Sequence, residues 1–530
     1  MGSPPPIVFI TTDTQGRDMV SAYGPAHWHR SAAGGSGAAG VQLPATPHVD
    51  RLAARGTLFD TCVAAAPLCT PARSAWYTGL PPNRNGAVCN DTAPSRAVPM
   101  LGELLAEAGY AAHHVGKWHL DAAGYAGAGR ADGGFANDTW YDLSRFYDEV
   151  GRTGANRFGG WLRGLEDERF CFAHRVVDRA IGVLRARDPA APLFLAVELD
   201  EPHGPYICPP PFQGRYDQDR LPRPASFPAC PRDKPRLQQD YAAWLAAARA
   251  APDQYPAYYH KYYDCNSYAD HEIGRLLDAV DRYCPDALLI YTADHGDHLG
   301  AFGLCAKGPT MYDHTVAVPL VVAGPGLPAG ERSECLTSSL DLWATITDAA
   351  SPDGELGNGT GHRPTAPTRS PRAGRADGGP FFPRSAGYTG RSLLPLLRGE
   401  RSAAEHRTAA FSEYHRFGTR QQQAGGCYPI RCVRTADWKL AINLLDRDEL
   451  YDLRADPGET VNLIAAPEHA AVRNDLHDLL LAHMDETGDL LAGPGWARRP
   501  WRGPAAERPF EGYFTTGYHD RWPSGSFFTW

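Results

Sequence analysis

The stretch Ile7-Val-Phe-Ile-Thr-Thr-Asp13 is a short apolar, β-branched run that ends abruptly in a carboxylate. A run that is apolar on both faces predicts a central strand of a parallel sheet, which helices cover on each side. Ala287-Leu-Leu-Ile-Tyr-Thr-Ala-Asp294 has the same form and continues into His295. Further buried strands are predicted at 192–197 and 319–323, with helical stretches between. We therefore expect an α/β fold with a large, mainly parallel sheet sandwiched by helices.

Three parts of the chain differ in composition. Residues 1–400 carry the α/β pattern, with a Gly-, Pro-, Arg- and Thr-rich insert at 352–387 that is typical of a flexible loop. Short strand-like runs in 401–492 predict a smaller C-terminal α+β subdomain built on an antiparallel sheet. The tail, 493–530, is rich in aromatic residues, Arg and Pro. We expect the tail to pack on the body or on a neighbouring subunit of a homo-oligomer.

The bulk properties are those of an ordinary globular protein. The 530 residues carry a net charge of −9, which argues against nucleic acid or an anionic membrane as the main partner. Twelve cysteines without CxxC pairs or regular spacing indicate neither a zinc ribbon nor a disulfide framework. The first residues lack a basic stretch followed by an apolar one, and no apolar run approaches the length of a membrane span. We expect a cytoplasmic protein with reduced thiols.

Polar residues follow the predicted strands, at the edge where open α/β sheets bind ligands. Two carboxylates and an imidazole there would suit a divalent cation, lysines would suit an anionic ester, and histidines would suit proton transfer near neutral pH. Each residue alone has an ordinary alternative, as a helix cap, a surface lysine or a structural histidine. Taken together, they predict a hydrolytic metal site. The residues are Asp13, Lys117, His119, His203, Asp294, His295 and Lys307.

Pro67-Leu-Cys-Thr-Pro-Ala-Arg-Ser-Ala-Trp-Tyr-Thr-Gly-Leu80 predicts a loop that runs into a helix. Cys69 begins the helix, and Arg73 lies four residues later on the same side. Free N–H groups, the helix dipole and a guanidinium would form an anion site, in which a nucleophile could attack a sulfate or phosphate ester. The alternatives are an inert buried cysteine and a core ion-pair role for Arg73. Because a thiolate is soft and binds metals tightly, the site makes more sense if residue 69 is not a cysteine in the mature protein.

Cys69-Thr-Pro-Ala-Arg73 resembles the CxPxR signature of type I (formylglycine-dependent) sulfatases, within the alkaline phosphatase superfamily. The resemblance covers most of residues 6–463 and implies an alkaline phosphatase-like fold and an arylsulfatase-like sulfuric ester hydrolase. Other matching stretches are Thr46-Pro-His-Val-Asp-Arg-Leu52, Gly116-Lys-Trp-His-Leu120, His203-Gly-Pro205, Thr292-Ala-Asp-His-Gly296, Ser339-Leu-Asp-Leu342, Gly390-Arg-Ser-Leu-Leu-Pro-Leu-Leu-Arg-Gly-Glu400 and Glu449-Leu-Tyr-Asp-Leu-Arg-Ala-Asp-Pro-Gly-Glu459.

The resemblance implies a catalytic role for Cys69. A formylglycine-generating maturation enzyme would oxidise it to Cα-formylglycine, whose hydrate, a gem-diol, attacks sulfur. Arg73 and Lys117 would steady the nucleophile and the sulfate charge. His203 and Lys307 would lie near the leaving oxygen. For the last step, the resemblance assigns His119, which would help deprotonate the second hydroxyl and so expel sulfate.

The resemblance also implies one divalent cation. Calcium is the usual metal of the family, and a site with an imidazole also admits manganese. Many sulfatases place two consecutive aspartates at the first strand end, whereas here Asp13 is followed by Thr14 and Gln15. An oxygen of Thr14 or Gln15, or a water, is therefore expected to complete the coordination. The other expected ligands are Asp13, Asp294, His295 and residue 69.

The predicted function is hydrolysis of a small-molecule or carbohydrate sulfate ester. Related phosphonate monoester and phosphodiester hydrolases use formylglycine and an aspartate–histidine metal pair too, so phosphoester chemistry is the main alternative. A third possibility is a non-catalytic anion-binding protein that is never matured. Aromatic-rich excursions at 121–190 and 208–260 slightly favour a sugar substrate.

Overall fold

The computed structural model describes residues 4–24, 41–150, 168–224, 226–227, 232–247, 256, 258–351, 388–419 and 426–502. The insert expected at 352–387, and the part of the aromatic tail beyond residue 502, lie outside these ranges. Among the helices of the described part, none is both long and apolar enough to cross a membrane.

A large sheet forms the centre of the fold. The strands run in the order β3-β4-β1-β5-β7-β2-β6, and β8 pairs with β2. Strands β3, β4, β1 and β5 are mutually parallel, while β7 runs antiparallel between β5 and β2. The bounds are β1 Ile7–Thr12, β2 Thr57–Val63, β3 Ala111–Gly116, β4 Leu193–Glu198, β5 Leu288–Ala293, β6 Ala317–Val318, β7 Leu320–Ala323 and β8 Glu331–Ser338. The predicted α/β fold is confirmed.

Helices cover both faces of this sheet. Residues of β1 alternate between two apolar cores, with Val8 and Ile10 on one face and Ile7 and Phe9 on the other. The helices are α1 Pro47–Ala53, α2 Cys69–Thr78, α3 Pro82–Asn85, α4 Leu101–Glu107, α5 Leu143–Glu149, α6 Phe172–Ala186, α7 Arg236–Ala247, α8 Tyr259–Tyr283, α9 Asp313–Val316, α10 Leu340–Ala350, α11 Leu394–Leu397, α12 Ala403–His406, α13 Ala470–Thr487 and α14 Pro494–Ala497. Helices α1, α6 and α8 supply the first core, and α2, α4 and α10 supply the second.

The C-terminal part contains a separate antiparallel sheet, as the sequence predicted. Its order is β12-β11-β10-β9, and apolar residues of helix α13 pack on it. The strands are β9 Ala410–Tyr414, β10 Ile430–Arg434, β11 Trp438–Asn443 and β12 Glu449–Asp452. Glu413 of β9 links this sheet to the segment that follows β2, because its backbone N–H donates to the Ala65 carbonyl at 2.9 Å. Its carboxylate also accepts hydrogen bonds from the backbone and side chain of Asn83 in α3.

Candidate active site

The strand register brings the predicted site residues to one edge of the sheet. Thr11 of β1 pairs with Glu198 of β4, and Thr12 pairs with Ala293 of β5. Asp13 and Asp294 therefore leave adjacent parallel strands at the same level. Gly116, the last residue of β3, also pairs with Glu198, so the segment after β3 begins at this edge too.

Cys69 lies at the centre of this edge, at the first residue of α2. Its Sγ is 2.8 Å from Lys307 Nζ, 3.3 Å from His295 Nε2 and 3.8 Å from Asp13 Oδ1. Burial and the Asp13 charge raise the pKa of the thiol, but Lys307 and Lys117 outweigh them and hold it well below its usual range. Position 69 is thus a buried site that favours an anion.

Arg73 is fully buried and is surrounded by carboxylates. Its guanidinium donates to Asp294 Oδ2 at 3.2 Å and to Asp13 Oδ2 at 3.0 Å. It also donates to the Lys117 carbonyl at 3.1 Å and to the Glu198 carboxylate. This is the ion-pair role that the sequence left open. Arg73 holds the carboxylates that surround position 69.

Four of the expected metal ligands converge. Ligand atoms of Asp13, Cys69, Asp294 and His295 all lie within 4.8 Å of one another, and all four residues are buried. Burial and the Asp13 charge raise the pKa of Asp294 to about 7. Two carboxylates that crowd each other beside an imidazole form a donor set that a divalent cation would stabilise.

Thr14 and Gln15 differ in what their oxygens do. Thr14 Oγ1 donates to Asp13 Oδ1 at 2.6 Å, and its backbone N–H donates to Asp294 Oδ1 at 2.9 Å. The Gln15 side-chain oxygen accepts from Thr12 Oγ1 at 2.9 Å and from the Tyr291 hydroxyl. Thr14 thus contacts two of the expected ligands. The Gln15 oxygen instead accepts hydrogen bonds from residues of β1 and β5. Thr14 is the better candidate for the additional ligand.

The remaining predicted residues surround the same cluster. Lys117 Nζ lies 2.7 Å from Asp13 Oδ2 and 2.8 Å from Asp200 Oδ1. His203 Nε2 is 4.0 Å from Asp13 Oδ1. His119 Nε2 contacts Asp91 Oδ1 at 3.2 Å. Burial lowers the pKa of His119, but this hydrogen bond and Cys69 outweigh burial and raise it overall.

Three supporting residues were missed by sequence analysis. Glu198 accepts from Arg73 and from the Tyr77 hydroxyl, and it is fully buried. Asp200 accepts from Lys117 and from the Tyr125 hydroxyl, and that hydroxyl also lies 3.0 Å from His203 Nδ1. The Tyr125 ring lies 3.9 Å from Lys117 Nζ. The sequence pattern could have indicated Glu198 and Asp200, because both follow closely after a predicted strand. Tyr125 lies in a loop where no such pattern indicates a role.

Comparison with known proteins identifies the family of this chain. The family model described as Sulfatase matches residues 5–352, and that described as N-sulphoglucosamine sulphohydrolase, C-terminal, matches residues 383–486. The chain belongs to the sulfatase family. One relative of this sulfatase is Uncharacterized sulfatase YidJ from Escherichia coli (strain K12), 30% identical over 96% of this chain and 94% of that protein.

Solved structures share the fold of this sulfatase. BT4656, in complex with its substrate D-glucosamine-2-N,6-O-disulfate, aligns with a TM-score of 0.67 at 21% identity, covering 92% of this chain and 99% of that one. The phosphonate monoester hydrolase of Agrobacterium radiobacter aligns with a TM-score of 0.69 at 21% identity, covering 92% and 97%. At this identity both show the alkaline phosphatase-like fold alone.

Proposed function

We propose that this sulfatase hydrolyses a sulfate monoester with a hydrated formylglycine at position 69 as the nucleophile. The observation that carries the proposal is the environment of Cys69 Sγ, which touches Lys307 Nζ and His295 Nε2 amid two buried carboxylates. In the chain as encoded, Sγ marks the place where the hydrated aldehyde would carry its hydroxyl oxygens. The aldehyde would come from oxidation of Cys69 by a separate maturation enzyme.

The donor set of Asp13, Asp294, His295 and residue 69 fits one divalent cation, calcium or manganese. Bound there, the cation would polarise the ester and lower the energy of the anionic nucleophile. Arg73 would keep Asp13 and Asp294 in place through its hydrogen bonds to both.

Different side chains around the cluster are assigned to charge stabilisation and to the two proton transfers. Lys307, 2.8 Å from Sγ, places a cation against the nucleophilic group and the incoming ester. Burial and the charges of Lys307 and Lys117 lower the pKa of His203, which favours the neutral imidazole near neutral pH. His203 is assigned to the leaving oxygen on its position, because its Nε2 lies 4.0 Å from Asp13 Oδ1 at the side of the cluster. His119, whose pKa Asp91 raises, is assigned to the second hydroxyl of the hydrate, whose deprotonation expels sulfate.

A carbohydrate sulfate is the favoured substrate class. The solved structure of BT4656 holds a sulfated glucosamine, and the C-terminal part of this chain matches a family named for a sulphoglucosamine sulphohydrolase. The second candidate is a phosphonate monoester or phosphodiester, favoured by the similarity to the phosphonate monoester hydrolase.

The two reactions are separated by kinetics on matched substrates. Protein co-expressed with a formylglycine-generating enzyme is assayed on 4-nitrophenyl sulfate, on 4-nitrophenyl phenylphosphonate and on sulfated monosaccharides. A higher kcat/KM on the sulfates supports the proposal, and a higher value on the phosphonate supports the alternative. Cys69→Ala should remove turnover of every substrate, and full activity of that variant would refute the nucleophile.

A further inference from the structure

The loop between His295 and α9 carries Lys307, whose Nζ lies 2.8 Å from Cys69 Sγ. The two ends of this loop meet beside the expected metal ligands, because the Gly296 N–H donates to the Thr315 carbonyl at 2.9 Å. Three residues of the loop lie in the left-handed region of the backbone, which costs energy for non-glycine residues and persists where the surroundings hold it. They are Leu299 (φ 52°), Phe302 (φ 58°) and Ala306 (φ 56°). The backbone directly before Lys307 is thus strained, so the position of that side chain depends on what holds the loop.

Three strands of the C-terminal antiparallel sheet converge on the end of this loop. Each of the consecutive residues 311–313 is bound by a buried side chain from a different strand: β11, β12 and β10 in turn. The contacts are Lys439 Nζ to the Met311 carbonyl (2.9 Å), the Tyr312 hydroxyl to Glu449 Oε1 (2.9 Å) and Arg434 Nη2 to Asp313 Oδ2 (3.1 Å). The segment that follows Lys307 is therefore attached to the C-terminal subdomain as well as to the large sheet.

Lys439 lies at the centre of this contact. Its side chain is fully buried, and its Nζ also donates to Asp313 Oδ1 at 2.5 Å and to Glu459 Oε1 at 2.7 Å. Lys439 pairs across the strands with Arg434, so two cations face the Asp313 carboxylate. Burial raises the pKa of Asp313, but Arg434 and Lys439 outweigh it and hold that pKa well below its usual range. Buried ion pairs seldom stabilise a fold more than apolar residues of similar volume would, so their convergence on this segment points to a role in placing it.

We propose that Lys439 is a positioning residue, which fixes the segment 311–313 and through it holds Lys307 against position 69. The kinetic consequence rests on the proposed function, in which Lys307 places its charge against the nucleophilic group and the incoming ester. The inference gives the C-terminal subdomain a part in the reaction, although every residue assigned to the chemistry belongs to the large domain.

The first measurement is hydrogen–deuterium exchange of the full-length protein, which needs neither maturation nor turnover. Lys439→Met removes the charge and keeps an unbranched side chain, while Tyr312→Phe removes only the hydroxyl that reaches β12 and serves if the first variant does not fold. We expect the backbone amides of residues 297–316 to exchange about threefold or more faster in both variants. The matched control is Arg499→Met, which removes a buried cation that pairs with Asp448 at 2.7 Å elsewhere in the same subdomain. This control should leave the exchange of residues 297–316 unchanged.

The second measurement is a double-mutant cycle on the mature enzyme with 4-nitrophenyl sulfate. If Lys439 acts by placing Lys307, Lys439→Met should lower kcat/KM about tenfold or more in the wild-type background and less than about twofold in the Lys307→Ala background. A residue that only stabilises the fold would cost the same factor in both backgrounds. Tyr312→Phe should show the same pattern with a smaller loss.

Faster exchange of residues 297–316 together with non-additive kinetics would support the proposal. Unchanged exchange, or equal losses of kcat/KM in the two backgrounds, would overturn the role of Lys439. If the mature wild-type protein hydrolyses no sulfate ester, the proposed function alone is refuted, and the exchange of residues 297–316 still decides whether Lys439 holds this loop.

Discussion

The Glu198 carboxylate offers a sharp test of how the catalytic cluster is held together. It accepts hydrogen bonds from the Arg73 guanidinium and the Tyr77 hydroxyl, and His114 Nε2 lies 3.5 Å away. Glu198→Gln removes the negative charge with almost no change in shape. The amide oxygen can still face Arg73, and its NH₂ group can donate to the Tyr77 oxygen. The variant therefore weakens the Arg73 pair without opening a cavity.

The expected magnitude follows from these contacts. A hydrogen bond to a charged group contributes about 1.5–3 kcal/mol, and a neutral acceptor keeps part of it. Arg73 retains its bonds to Asp13 and Asp294, so the site loosens without losing its guanidinium. If about 1.4–2.7 kcal/mol is lost from the transition state, kcat/KM falls about 10- to 100-fold.

Steady-state kinetics on 4-nitrophenyl sulfate, together with thermal unfolding, separate this effect from a general loss of stability. The matched control is Glu272→Gln in α8, which removes an equally buried carboxylate that pairs with Arg275 and His174. We expect the control to lower the unfolding temperature while kcat/KM stays within about twofold of wild type, because its partners lie outside the active site. Equal kcat/KM values for Glu198→Gln and wild type would refute the positioning role.

Three further predictions concern the leaving group, the subdomain contact and the metal. Tyr125→Phe removes the hydroxyl beside His203 Nδ1, so kcat should fall about 3- to 10-fold on alkyl sulfates but little on 4-nitrophenyl sulfate, whose leaving group needs no proton. Burial raises the pKa of Glu413, but Arg431 outweighs it and lowers that pKa from 4.5 to about 2. This carboxylate therefore contributes about 3 kcal/mol to the free energy of unfolding above pH 4.5, and roughly a quarter of that contribution is lost at pH 4. Urea unfolding of Glu413→Gln should therefore show a flatter acid dependence than wild type, and parallel curves would contradict this. Chelation should abolish activity and lower the unfolding temperature, and added Ca²⁺ or Mn²⁺ should restore both.

Much of the fold was readable because the strands that position the site are apolar on both faces. Strands β1, β4 and β5 show this pattern and were predicted with nearly correct bounds. Strands β2 and β8 were missed, since β2 carries Asp60 and two threonines and β8 begins with four polar or charged residues. Helix α8 begins at Tyr259, and its first-turn tyrosines pack in a cluster apart from the two cores of the large sheet.

The candidate site was predictable only where a residue's place in the sequence pattern indicates its role. Asp13, Asp294 and His295 follow buried strands, and the structure brings them together with Cys69. The environment of Arg73 was not predictable in detail, because it depends on pairing between strands that are far apart in the chain. The same reason hid Glu198, whose partners become visible only once β1, β3 and β4 are aligned.

The central claim is that residue 69 acts as an aldehyde hydrate that the gene does not encode. It is tested most directly by measuring inorganic sulfate released from 4-nitrophenyl sulfate by protein produced with and without a formylglycine-generating enzyme, alongside mass spectrometry of the peptide that contains Cys69. The account predicts sulfate release in proportion to the fraction of peptide carrying the aldehyde, and none from protein that retains the thiol. Equal activity in protein whose Cys69 is wholly unmodified would contradict it.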